Sequence, residues 1–156
     1  MEDYNKACNY SFLLLKYRPR SKHELILRLK TKQYSSPVIK KTVEFLQECN
    51  YINDSEFVPL FVRSSLNKGW GRRRIDYALK KLGISAELAE KFMPAKKVYK
   101  AKIRELIKKK VHYYSGKKNV YQKIVRFLVS RGYDHDEIYE AMQKLEVKKF
   151  EKFNNK

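Results

Sequence analysis

The stretch Arg73–Met93, RRIDYALKKLGISAELAEKFM, decides the fold. Ile75 and Leu79 stand four apart, which places them on one face of a helix. Ile84 comes five residues after Leu79, Ser85 follows it directly, and Phe92 lies thirteen past Leu79. A serine there can accept hydrogen bonds from the free N–H groups of a new helix. The stretch reads as helix, tight turn, helix.

The same text occurs twice more. His23–Leu46 carries Leu25/Leu29, then Tyr34, then Ser35-Ser36-Pro37, then Val43. Tyr121–Met142 carries Ile124/Leu128, then Tyr133, then Asp134 to Asp136, then Met142. Ser, Asp and an early Pro all suit a first helical turn. A further helical pattern precedes each pair: Tyr4 to Tyr17, Asp54 to Lys68, and Ala95 to Tyr114, where Tyr99, Ile103, Ile107 and Val111 recur every four residues. Gly and Pro are scarce, at five and four, and no strand-like alternation is visible. The expectation is an all-α protein of three tandem three-helix repeats, over residues 1–53, 54–93 and 94–156. Units of this size bury little surface alone, so stacking into an elongated, curved helical array is expected. Unpaired end repeats suit a monomer.

Composition narrows the partners. The 156 residues include 36 Lys+Arg against 17 Asp+Glu, a net charge of +19. That far exceeds the ~2–8 that keeps a small domain soluble. Such a field attracts polyanions: nucleic acid, an acidic protein surface or an anionic membrane face. The longest apolar block, Phe12 to Leu15, is far below the ~20 residues of a membrane span, and no secretory leader pattern is visible, so no membrane partner and a cytoplasmic location are expected. Cys8 and Cys49 suggest no disulfide framework and read as small buried hydrophobes. His23, His112 and His135 fall in different repeats without metal-ligand spacing, and KGWGRRR lacks the length and ending of a phosphate-binding loop. No metal, cofactor or enzymatic activity is expected.

Basic turns are the candidate site. Gly71, Arg72, Arg73 and Arg74 open the helix that contains Ile75 and Leu79. A helix start already carries partial positive charge, so three cations there are locally unfavourable, and a bound anion would offset that. An internal pairing with Asp76 or a neighbouring carboxylate is the structural alternative. Trp70, just ahead, reads as a packing residue more readily than a base-stacking one. Arg18, Arg20 and Lys22 sit at the matching place in the first repeat, and Lys117, Lys118 and Lys123 in the third. Repetition is expected to set them in a row.

Three segments resemble the RecX family, regulators of the RecA recombinase. They are YRPRSKHELILRLK (17–30), LQECNYINDSEFVPLFVRS (46–64) and KGWGRRRIDYALKKLGIS (68–85). Asn53 stands where the family usually has Asp, and Val58 where it usually has Ala; beyond Met93 the likeness is one of pattern. The resemblance implies a tandem three-helix-repeat protein without catalytic chemistry. It would bind the RecA–DNA filament on single- or double-stranded DNA and lower its ATPase and strand-exchange activity, in homologous recombination, DNA repair and the SOS response. It carries over Arg18, Arg20, Gly71 and Arg72 to Arg74 as contact residues. The competing expectations are a general nucleic-acid-binding module and a scaffold for an unrelated acidic protein.

Overall fold

A computed structural model describes residues 2–145; the end of the expected third repeat, 146–156, lies outside the described residues. Among the described residues there are nine helices and no strand. They are α1 (Glu2–Tyr17), α2 (Lys22–Thr31), α3 (Ser36–Glu48), α4 (Asp54–Asn67), α5 (Arg72–Lys81), α6 (Ala86–Phe92), α7 (Lys96–Tyr114), α8 (Val120–Ser130) and α9 (His135–Lys144).

The spacing of five that links Leu29 to Tyr34, Leu79 to Ile84 and Leu128 to Tyr133 has a backbone cause. In each turn the N–H of the later residue donates to the carbonyl of the leucine, at 3.3, 3.1 and 3.2 Å. The residue between, Gln33, Gly83 or Gly132, takes a left-handed φ of 61, 73 or 85° and donates three residues back, to Lys30, Lys80 or Val129. This paired closure ends a helix and sets an apolar residue against the last turn. All three leucines are fully buried, and so are Leu25, Ile75 and Ile124. Burying each such side chain stabilises the fold by ~1.5–3 kcal/mol.

Caps differ among the turns. Ser85 accepts from the Leu88 N–H at 3.2 Å, whereas Ser35 and Asp134 hold the N-cap position without a side-chain capping bond. Asn53 accepts from the Ser55 N–H at 3.0 Å, and Val58 is fully buried, so both departures from the family pattern are accommodated.

The described residues form two compact units, and the division passes through α4 and α5. One unit holds the residues up to Phe61 with Ala78–Phe92. In it α1, α2 and α3 pack on one another around Ala7, Leu25, Leu29, Ile39, Val43, Leu46 and Ile52. The other holds Val62–Tyr77 with the described residues from Met93. There α7, α8 and α9 pack on one another over Tyr99, Ile103, Ile107, Ile124, Leu128 and Ile138. Lys100 on α7 meets Glu140 on α9 at 2.8 Å, and with Lys144 it holds that carboxyl down at about 2. One cysteine expectation is corrected: Cys8 is buried on α1, but Cys49 caps the open end of α3 and is exposed.

Candidate functional site

The first basic turn is largely self-contained. Ser21 caps α2, accepting from the Glu24 N–H at 3.1 Å, and its hydroxyl donates to the Leu82 carbonyl at 2.7 Å. Glu24 takes two guanidinium groups. Arg18 donates to it at 3.0 Å and to the Pro19 carbonyl at 3.1 Å. Arg20 pairs with the same carboxylate, and its Nε donates to the Leu14 carbonyl at 3.2 Å. Arg20 is only 9% exposed, so its charge is spent inside the protein and it is not placed to meet a partner. Arg18 and Lys22 remain at the surface.

The second basic turn is gripped by the protein itself. Gly71 and Arg73, at the start of α5, donate their backbone N–H groups to the carbonyls of Arg131 and Gly132, at 2.7 and 3.2 Å. A Cβ on Gly71 would lie 2.6 Å from the Tyr133 nitrogen and overlap the Gly132 carbonyl, so only glycine permits this approach. Arg73 pairs with Asp134. Arg74 donates to the Ser130 carbonyl at 3.1 Å, and its guanidinium lies 4.4 Å from the centre of the Trp70 ring. Arg72 lies 3.7 Å from Asp76. Arg131 reaches back to the Lys68 carbonyl at 2.7 Å. Two N–H groups at this helix start are therefore met by backbone carbonyls of the α8–α9 turn, which offset part of the local positive charge. The arginine side chains stay partly exposed beside these partners.

The third basic turn is different. Lys117 lies over Tyr113 at 4.5 Å and Tyr114 at 5.5 Å. Lys123 lies 5.9 Å from Tyr114. Lys110, which the sequence reading passed over, joins them at 4.7 Å from Tyr113 and 4.5 Å from Phe127. Its signal was its place three and four residues before the tyrosine pair, one helical turn away. Lys118 is exposed nearby in sequence. Among the described residues none of these four ammonium groups meets a carboxylate within ion-pair distance. Ring faces attract cations and fix the lysine stems, but they do not neutralise the charge. Positive potential is therefore concentrated here without an internal counter-ion. Tyr113 is 61% exposed at its centre.

Among the described residues no group of His, Cys, Asp and Glu gathers as a metal-ligand set, and no helix is long and apolar enough to cross a membrane. Tyr133 is a core residue, 1% exposed; burial pushes its phenol far above the ordinary range, and its hydroxyl has no hydrogen-bond partner among the described residues.

Comparison with known proteins follows the repeats. Residues 4–46, 53–93 and 98–142 match the first, second and third three-helix domains of RecX. Proteins named "Regulatory protein RecX" are similar along most of the chain. That of Caldanaerobacter subterraneus subsp. tengcongensis is 28% identical over 137 residues, covering 88% of this chain and 69% of the relative. That of Clostridium perfringens is 30% identical over 149 residues, covering 86% and 66%. That of Haemophilus ducreyi is 29% identical over 143 residues, covering 92% and 95%. The chain thus spans about two thirds of the length of the first two relatives and nearly all of the third. The crystal structure of RecX from Lactobacillus salivarius superposes with a TM-score of 0.77 at 26% identity, covering 94% of this chain and 98% of that one. With three helical repeats that each match their own domain of one family, in order along the sequence, the chain belongs to the RecX family of regulatory proteins.

Proposed function

We propose that this protein binds the RecA–DNA filament in the cytoplasm and lowers its ATP hydrolysis and strand exchange, acting without catalytic chemistry of its own. The observation that carries the proposal is the ordered match of all three repeats to a family of regulators, on a chain of net charge +19. A chain that touches neighbouring filament subunits and the DNA together holds the filament in one state. That slows ATP-linked cycling and keeps other DNA out.

The basic turns divide this work. Lys110, Lys117, Lys118 and Lys123 take DNA phosphate, because they carry charge without internal carboxylates and lie beside an exposed tyrosine. Arg18, Lys22 and Arg72 to Arg74 face acidic protein. Internal partners fix the direction of each guanidinium, whose partly exposed planar fork suits carboxylates, and Lys22 adds an exposed point charge.

The lysine cluster by itself also favours a second reading, a general nucleic-acid-binding module. One experiment separates the two. Added to RecA on single-stranded DNA, the protein should reduce hydrolysis and strand exchange while showing no ATPase or nuclease activity alone. The variant Lys117→Ala/Lys123→Ala should flatten the plot of log affinity against log salt by about 1 per lost phosphate contact. Unchanged hydrolysis at saturating protein and low salt sinks the regulator reading and leaves the second. A RecA-sized partner retained from lysate after nuclease treatment supports the first.

A further inference from the structure

The first repeat carries an apolar groove with a basic rim. It lies open to solvent along α2 and α3, has a volume of about 400 Å³, and has a floor of Ile26, Ile39 and Val43. That volume falls in the ~300–1,000 Å³ range of ligand clefts. Lys22, Lys30 and Lys40 stand around it. The lining has a single carboxylate, Glu44, which Lys40 meets at 3.9 Å. The ammonium groups of Lys22 and Lys30 make no ion pair among the described residues, while the backbone N–H of Lys22 donates to the Asp54 carboxylate at 2.9 Å. The floor calls for an apolar side chain, and the rim calls for anions on either side of it.

Charge selects the occupant. Residues 146–156, EVKKFEKFNNK, offer phenylalanines, but they carry four lysines against two glutamates. A second copy of the chain brings a net charge of +19. Both are repelled by the rim. We infer that this groove docks a short acidic segment of another protein, with one large apolar side chain set between its carboxylates. The apolar residue sits over Ile26, Ile39 and Val43, as anchors do in helix-lined grooves, and its flanking carboxylates meet Lys22, Lys30 and Lys40. The inference does not depend on the regulator reading, because it concerns what the groove accepts and not what the complex does.

The test uses the whole chain and two labelled peptides, Asp-Glu-Asp-Leu-Asp-Glu-Asp and the same peptide with serine at its centre, followed by fluorescence anisotropy at low salt. The leucine peptide should bind about tenfold more tightly than the serine peptide, the value of one apolar side chain removed from water. Lys30→Glu/Lys40→Glu should weaken the leucine peptide by about tenfold or more. Lys97→Glu/Lys108→Glu, which changes net charge equally at two exposed sites on α7, should leave it nearly unchanged. All these variants alter exposed side chains, and circular dichroism checks that each is folded. Equal affinity for the two peptides overturns the inference, since charge alone then suffices. So does equal weakening by the two double variants, or no binding at all. Self-association that rises with concentration and disappears in Lys30→Glu/Lys40→Glu makes a second copy the occupant and also overturns it. Filament regulation is read separately, by RecA hydrolysis, so failure of one does not imply failure of the other.

Discussion

The start of α2 and the start of α5 each rest against a turn between two later helices. The first meets Leu82–Gly83 and the second meets Arg131–Gly132. In both, the left-handed residue of the turn is glycine, and a Cβ there would strike the helix start: His23 Cγ at 2.5 Å for Gly83, the Arg74 nitrogen at 2.5 Å for Gly132. The chemistry around this shared geometry differs. The first joint uses one fully buried hydroxyl, Ser21, for both the cap and the cross-contact. The second uses two backbone N–H groups, an Arg73–Asp134 pair and Arg74 stacked on Trp70. A run of cations at a helix start is therefore no proof of an outside anion. The carbonyls of an internal turn can offset the same local charge. The α7–α8 turn is the better candidate because its lysines have ring faces for neighbours and no acids.

The hardest test of this comparison is Gly132→Ala. It imposes a left-handed penalty of ~1–2 kcal/mol and an overpacking cost of ~1–3 kcal/mol against the Arg74 backbone. A loss of about 3 kcal/mol is expected in urea unfolding. Gly116→Ala supplies the control, because Gly116 has a φ of 78° but nothing within 4 Å of an added Cβ. It should lose only the ~1–2 kcal/mol of the backbone term. Equal losses at the two glycines would show that the close approach in the second joint has no energetic weight.

Ser21→Ala probes the neutral joint. It deletes the cap on Glu24 and the bond to Leu82 together, so a loss of about 1–2 kcal/mol is expected. The deficit should persist in 1 M salt, since no ion pair involves the hydroxyl. A deficit that vanishes in salt would mean that Arg18, Arg20 and Glu24, and not the hydroxyl, hold this helix start.

Much of the fold was legible in the chain, because it repeats. The buried pair and the apolar residue five places on are the sequence trace of a helix-ending hydrogen-bond pattern, and glycine in LKKLGIS and LVSRGYD marks its left-handed residue. The site was less legible. Arg20 reads as a contact residue in the sequence, yet it stands four before Glu24 in RSKHE, and the structure pairs the two. Of the partners of the α5 arginines, Asp76 was legible, four residues after Arg72. Asp134 and the carbonyls of Ser130 and Gly132 were not, because they lie nearly sixty residues downstream and a carbonyl has no side-chain signature. Lys110 was hidden for another reason: it lies inside α7, away from the turn where basic residues were sought.

The smallest effect tests why the first repeat departs from the other two. Its turn has Gln33 in the left-handed position, with φ 61°, where the others have glycine. Gln33 is exposed, so no close backbone approach forces glycine there, and the chain bears only the local strain. Gln33→Gly relieves ~1–2 kcal/mol of left-handed strain and returns ~0.4–1 kcal/mol as extra freedom of the unfolded chain. The net gain should be about 0.5–1 kcal/mol, a rise of roughly 2–3 °C in Tm for a chain of this size. The reciprocal change, Gly83→Gln, puts the same residue into a turn that His23 crowds, and there the loss should reach about 3 kcal/mol. If instead Gln33→Gly destabilises the protein, the glutamine side chain supports the first turn by a contact of its own, and the three turns are not variants of one design. If Gly83→Gln is tolerated, the helix start at Ser21 can move away from its turn, and the likeness between the two joints ends at the backbone of α5.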